Sequence, residues 1–495
     1  MKKNLYSFLL IFLVLSCSKE SFNDSIDTTN TDPEVYTIAE VNEYLDQILR
    51  QNGDIDWMKT EPKLLYSAIW HGGKVLSIGY GPKNKSFSTE EKTPDIQKAL
   101  NSIKTILTEN ATEKTDVTIQ EDAILLHLET DIQNMKTVEE LQSSKDVRFL
   151  DPIGYNHFTK NQNPYAQKNA GCGEQEEDLN PEDYTAISPG ALQPWNYTAH
   201  NIPQAWQLST GAGVTVGIID TGLTPKQELL NEKINDGISE NRSVERYGTY
   251  IDSPWWWSDN IDGPDDRCGH GTQMAAVLAS PRNDEGLPVG VAYNANLVVY
   301  RGTADVLLND YHERKGVVEA LKQLADRSDV KIISMSIGYV WSIGSIKDAV
   351  RYAYSKDKLI IAAGGTSTSF TNWYGIIFPA SMRETVAVTG IKDNGYNRCD
   401  ICHDGDMDFS IIMQRAQDAK RNVPILGFNT GTTQYSSGSS VATAITSGIA
   451  ALVWAQNPNL SRDEVLDKLK RSGEFYPNRD PRFGYGNIDA LKAVQ

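Results

Sequence analysis

Across 495 residues the chain carries only five cysteines and seven histidines, and its 47 lysines and arginines are outnumbered by 65 aspartates and glutamates. That shortage of basic charge, a formal net charge of -18, argues against a nucleic-acid partner, because phosphate binding needs a basic surface. Cys399 and Cys402 form a single C-x-x-C with no second pair to complete a zinc knuckle. His312-Glu313 is followed by Gly316 where a zinc-binding H-E-x-x-H helix needs its second histidine. Asp220-Thr-Gly222 has no second Asp-Thr-Gly or Asp-Ser-Gly, so the paired carboxylates of an acid protease are missing. No repeat of 20 to 50 residues is visible, which argues against a solenoid or propeller.

What is present begins with an export signal. Lys2 and Lys3 precede an apolar run from Leu5 to Leu15, shorter than the roughly 20 residues that span a bilayer. The run ends in Val14-Leu-Ser-Cys17, which resembles a bacterial lipobox and implies cleavage before Cys17 and acylation of its thiol. The expected location is therefore outside the cytoplasm, on a bacterial membrane, at the periplasmic or outer surface. The four remaining cysteines, 172, 268, 399 and 402, are an even number in an exported chain, which suits disulfides. Cys399 and Cys402 fit a local disulfide better than half of a zinc site, which leaves Cys172 for Cys268.

Five segments follow from the changes in composition. Residues 1–17 are the signal, and 18–34, rich in Ser, Asn, Asp and Thr, a flexible tether. Residues 35–155 read as a small α+β unit. Within it Leu64 to Tyr80 reads as a strand pair turning at Gly72-Gly73, and Thr93-Pro94 opens a helix with Ile96, Leu100, Ile103 and Leu107 on one stripe. Ala123 to Glu129 and Val147 to Leu150 read as strands, and Thr137-Val-Glu-Glu140 as a capping box. Residues 156–194, with Glu174, Glu176, Glu177 and Asp178, read as a linker. From 195 to 495 apolar runs rich in β-branched residues alternate with helical segments, the pattern of an α/β fold with a parallel sheet covered by helices on both faces.

Three motifs carry chemistry. Val216-Gly-Ile-Ile-Asp220-Thr-Gly222 is a buried strand ending in a carboxylate and a glycine turn, which places Asp220 at the carboxyl end of a sheet strand, where active sites gather. Gly269-His270-Gly-Thr272 sets an imidazole between glycines at the mouth of a helix. Gly438-Ser-Ser440-Val-Ala442 places a serine at a helix N-terminus, where its own backbone N–H faces the anion formed on attack. Ala442 rules out the G-x-S-x-G elbow of α/β-hydrolases, and the order Asp, His, Ser, with gaps of 50 and 170 residues, is that of subtilisin.

From about residue 195 to 495 the chain resembles the subtilisin-like serine proteases. The likeness extends to Ile332-Ile-Ser-Met-Ser-Ile-Gly338, Leu359-Ile-Ile-Ala-Ala-Gly364 and Gly484-Tyr-Gly-Asn-Ile-Asp-Ala490. It implies a serine endopeptidase acting on protein or peptide substrates, with Asp220, His270 and Ser440 as the triad and an acyl-enzyme intermediate. It implies an oxyanion site at the Ser440 backbone and at Gly365, with Thr366 as a further donor, and a substrate-pairing edge at Ser336, Ile337 and Gly338. It requires no cofactor. Structural calcium is common in the family, but no ligand spacing here names a site. The 35–155 unit resembles the inhibitory propeptide of these proteases, an intramolecular partner cut away within 156–194.

Four departures stand out: Gly365 for the usual Asn, Ser439 for Thr, Ala444 for Pro and Gln273 for the second His of Gly-His-Gly-Thr-His. Loss of such an Asn donor costs on the order of 10² to 10³ in rate. A weak or inactive peptide-binding homologue is therefore the competing reading, and an aspartic protease built on Asp220 the remote one. Trp255-Trp-Trp257 suits either an aromatic rim to the cleft or packing beneath a loop.

Overall fold

Seven strands form one wholly parallel sheet in the computed structural model, which describes residues 35–111, 118–157, 171–173, 176–366 and 375–495. The signal, Cys17 and the tether lie outside the described residues, as does much of the linker. The spatial order is Phe409–Gln414, Val386–Lys392, Leu359–Ala363, Val330–Met335, Thr215–Asp220, Asn296–Arg301 and Val244–Gly248. Because side chains alternate along a strand, Val216, Ile218 and Ile332 enter one core with the helices His270–Ala279 and Gly438–Gln456. Ile219 and Ile333 enter the other, with the helices Tyr311–Asp326 and Gly344–Ser355. Gly438–Gln456 is long and apolar enough to cross a membrane, but nearly all of it is buried in the fold.

The winding reverses between Thr215–Asp220 and Val330–Met335. Chain leaving the first strand passes to the Val244 edge and returns through Asn296, whereas everything after Met335 builds outward on the other side. A crevice opens at the carboxyl ends of strands at such a reversal. Asp220 and Ser336 stand at those ends.

The stretch from Cys399 to Asn422, without a role in the sequence reading, supplies the edge strand Phe409–Gln414, and Cys399 and Cys402 are bridged to each other beside it. That bridge removes the zinc half-site reading.

Residues 35–155 hold a four-stranded antiparallel sheet, ordered Ile119–Glu121, His127–Asp131, Val75–Tyr80, Val147–Asp151. Pro94–Glu109 is the helix its spacing predicts, with Ile96, Leu100, Ile103 and Leu107 buried. Three expectations are corrected. Leu64 to Tyr80 is a helix, Pro62–His71, followed by a single strand: Pro62 opens the first turn, and Leu64, Leu65, Ala68 and Ile69 fall on one buried helical stripe. The cap expected at Thr137 belongs to Asn134, whose side chain accepts from the Thr137 N–H at the start of Met135–Ser143. The strand expected from Ala123 begins at His127, because Asp122 Oδ1 accepts from the N–H groups of Ile124 and Leu125 and folds that stretch into a turn.

This sheet packs on the helix Gly344–Ser355 of the larger unit. Arg148 makes two hydrogen bonds to Asp348, at 3.1 and 2.6 Å, and donates to the Tyr80 and Leu126 carbonyls. The Arg314 guanidinium reaches back to the carbonyls of Ile153 and Tyr155. Asp151 accepts from the Gly344 N–H at the helix N-terminus. Burial pushes its pKa up to about 7, although that hydrogen bond and Arg314 pull the other way.

This makes stability pH-dependent. Between the ordinary aspartate value and about pH 7, the folded chain keeps a proton that the unfolded chain has lost, so stability falls as pH rises through that window. Over three pH units the loss amounts to about 4 kcal/mol. Asp151→Asn is expected to flatten this slope. Urea unfolding of both proteins at pH 5 and pH 8 measures it, with the variant the less sensitive to pH.

Candidate active site

Asp220 ends its strand fully buried. Its Oδ1 accepts from the Thr221 N–H at 2.8 Å and lies 2.8 Å from His270 Nδ1. Its Oδ2 has no hydrogen-bond partner among the described residues, and no second carboxylate is bonded to it as an aspartic dyad requires. The glycines of the two motifs explain how they meet. A Cβ on Gly271 would overlap the carbonyl oxygen of Gly222, so the helix mouth can lie against the Asp220 turn only with glycine there. Gly269, at φ +92°, turns the chain into the helix.

Asp266 is a buried organiser that the sequence reading missed. It accepts from Thr221 Oγ1, from the N–H groups of Cys268, Gly269 and Thr272, and from Thr272 Oγ1. One carboxylate thus fixes both the Asp220 turn and the His270 helix mouth. Its only signal was its place in Asp265-Asp266, four residues before the histidine, which reads as surface charge. Burial opposes a charge on His270, but Asp220, with Asp266 and Asp305 behind it, prevails and raises its pKa above the ordinary imidazole value.

Ser440 is the third residue of its helix, following Gly438 at φ +87°. It lines a cleft of about 230 Å³ with His270, Ser336, Gly365, Thr366 and Ser439. Its carbonyl accepts from Ser336 Oγ at 3.1 Å. Among the described residues no hydrogen bond joins His270 to Ser440, and both line the same cleft.

Gly365 sits at φ +126°, and a Cβ there would overlap the His403 ring. Its N–H donates to Ser439 Oγ, which is also bonded to Thr366 Oγ1 at 3.0 Å. The imidazole of His403, held to the Gly375 carbonyl, thus occupies space that a side chain at 365 would need. Gly365→Asn is expected to lower stability by about 1–3 kcal/mol through strain instead of restoring a donor. A drop in melting temperature without a gain in kcat is the expected readout.

At the edge expected to pair with substrate, Gly338 is already engaged. Its N–H donates to the Val306 carbonyl at 3.0 Å and its carbonyl accepts from Leu308 N–H at 3.1 Å. A substrate strand at Gly338 must therefore displace that loop, while Ser336 and Ile337 line the cleft beside it. The tryptophans do not rim this cleft: Trp256 packs on Tyr311, and Trp255 and Trp257 stack on each other along a separate cavity with His71 and His312. Among the described residues no group of three or more His, Cys, Asp or Glu side chains is placed to hold a metal ion.

Residues 211–486 match the Peptidase_S8 model, the subtilase family. The chain belongs to the subtilase family. Thermitase of Thermoactinomyces vulgaris is 26% identical over 300 residues, 59% of this chain and 92% of that protein. Subtilisin of Bacillus sp. (strain TA39) is 27% identical over 303 residues, 58% of this chain and 67% of its own length. Among solved structures, MycP1 from Mycobacterium smegmatis is 19% identical with a TM-score of 0.48, covering 66% of this chain and 91% of that one. This subtilase is a subtilisin-like serine endopeptidase, and its substrates are peptides.

Proposed function

We propose that this subtilase hydrolyses peptide bonds through Ser440, His270 and Asp220 by way of an acyl-enzyme. The observation that carries the reading is the buried Asp220 carboxylate 2.8 Å from His270 Nδ1, on the cleft that also holds Ser440. The carboxylate fixes the tautomer with hydrogen on Nδ1, which leaves Nε2 as the base. Ser440 Oγ bonds to the scissile carbonyl carbon as its proton passes to Nε2. The C–N bond then breaks as that proton goes to the leaving amine. Water repeats the sequence and releases the acid.

Proton transfer needs Oγ and Nε2 within about 3.2 Å, a contact that is commonly long without substrate and tightens when it binds. The Ser440 backbone N–H is the first oxyanion donor, and the cluster of Gly365, Thr366 and Ser439 borders the place of the missing Asn. Since no Asn serves there, the enzyme is expected to be slower than relatives that keep it.

Residues 35–155 act as the chain's own propeptide, docked through Arg148 and Arg314, and the exported protein is anchored through Cys17. Because Cys172 is bridged to Cys268, a cut between residue 172 and the catalytic unit leaves the anchored part covalently attached.

The test is the pH dependence of kcat/KM on a peptide substrate. The base must be neutral, so activity is expected to rise with pH through a pKa above the ordinary imidazole value near 6.5. Activity confined to acid pH would remove the reading.

A further inference from the structure

The bridge that ties Cys172 to Cys268 lands two residues before His270, and what it carries lies in the active-site cleft. Gly171 lines that cleft alongside His270 and Ser440. The segment is clasped by two further hydrogen bonds. Gly173 N–H donates to the Cys268 carbonyl at 3.2 Å. Gln273 Nε2 donates to the Gly173 carbonyl at 3.0 Å, and Gln273 Oε1 accepts from Ser436 Oγ at 2.7 Å. Gln273 thereby joins the segment to the loop that leads to Ser440.

On its other side Gly171 presses on Val306: a Cβ placed on it would come 2.9 Å from both Val306 methyl carbons. Val306 in turn holds Gly338 through its carbonyl. Past residue 175 the chain continues along the hairpin before Ser436, with Glu176 accepting from Asn429 Nδ2 and Glu177 N–H donating to the Thr433 carbonyl. The segment is held across its described length, and its face toward the cleft is glycine with no side chain to fold away.

We propose that Gly171–Gly173 is a fixed wall of the substrate cleft, and that Cys172 and Gln273 are specificity-determining residues that restrict the neighbouring subsite to small side chains. Gln273 thereby gains a role for its departure from the usual histidine: its amide donates to Gly173 and accepts from Ser436 at once. This proposal rests on the Ser440 mechanism proposed above.

The test uses the full chain and internally quenched peptides that differ only by Ala or Phe at each position flanking the cut. Wild type, Gln273→Ala, and Cys172→Ala with Cys268→Ala are first titrated with a fluorophosphonate to count active sites. The wild type is expected to prefer Ala at one subsite. Counted per labelled site, both variants are expected to lower that Ala-to-Phe ratio in kcat/KM by at least tenfold. Gln273→Ala keeps the disulfide, so it decides the matter if the cysteine variant does not fold. A labelled variant with an unchanged ratio, or with an equal loss on both peptides, overturns the wall and leaves the mechanism standing. A wild type that takes no label overturns both.

Discussion

Ser440→Ala is expected to lower kcat about 10⁶-fold, the scale on which loss of the nucleophile falls in subtilisin, while leaving substrate affinity and fold intact. Ser440 lies in the buried first turn of an apolar helix whose core contacts come from Val441, Ala442, Ile445 and Ile449. Removal of its hydroxyl leaves no buried partner unsatisfied, because only its carbonyl, and not Oγ, is engaged by Ser336. His270→Ala is expected to cost a similar amount, and the double variant no more than either alone, since base and nucleophile act as one unit. Single-turnover rates on one peptide substrate measure all three. Losses that add up, or a Ser440→Ala enzyme within tenfold of wild type, would place the nucleophile elsewhere.

The second large effect belongs to the contact between the 35–155 unit and the catalytic unit. Asp348→Ala is expected to destabilise the protein by about 3–5 kcal/mol, because it strands the Arg148 guanidinium at a site where its side chain is 5% exposed. The pair itself is worth far less than that, since each ion gives up its hydration to form it. Arg148→Met combined with Asp348→Leu is therefore expected to recover most of the loss. Urea midpoints of the single and double variants separate the two terms. Were the interface a loose surface contact, Asp348→Ala would shift the midpoint by no more than an exposed ion pair does, about 1 kcal/mol or less.

The catalytic unit is legible in the sequence to a degree that the smaller unit is not. Strands such as Thr215–Asp220 and Val330–Met335 are buried on both faces almost throughout, so they read as apolar runs rich in Val and Ile. The motif glycines answer to local geometry: close backbone approach requires Gly222 and Gly271, and positive φ favours glycine at 269 and 438. In the smaller unit the same apolar composition serves a helix and a strand in succession. Leu64 to Ile69 and Val75 to Tyr80 differ in spacing more than in content, and the Gly72-Gly73 pair that separates them suits either turn.

The helix Ile38–Asn52 went unread although its signals are present: a Thr37 and Glu40 capping box, an apolar stripe at Val41, Leu45 and Leu49, and Gly53 at the close. Asp266 was illegible for another reason. A carboxylate that gathers five hydrogen bonds from residues up to 45 positions away looks, in sequence, like any acidic loop residue. The same holds for Gln273, whose partners Gly173 and Ser436 lie on either side of it by 100 and 163 residues.

The most direct measurement is the position of covalent modification. Purified protein is treated with a fluorophosphonate at neutral pH, digested, and the modified peptide sequenced by mass spectrometry. One equivalent on Ser440, abolished in His270→Ala, is the expected result. Modification at Ser436, Ser437 or Ser439 instead, or labelling of Ser440 that survives loss of His270 undiminished, would contradict the triad.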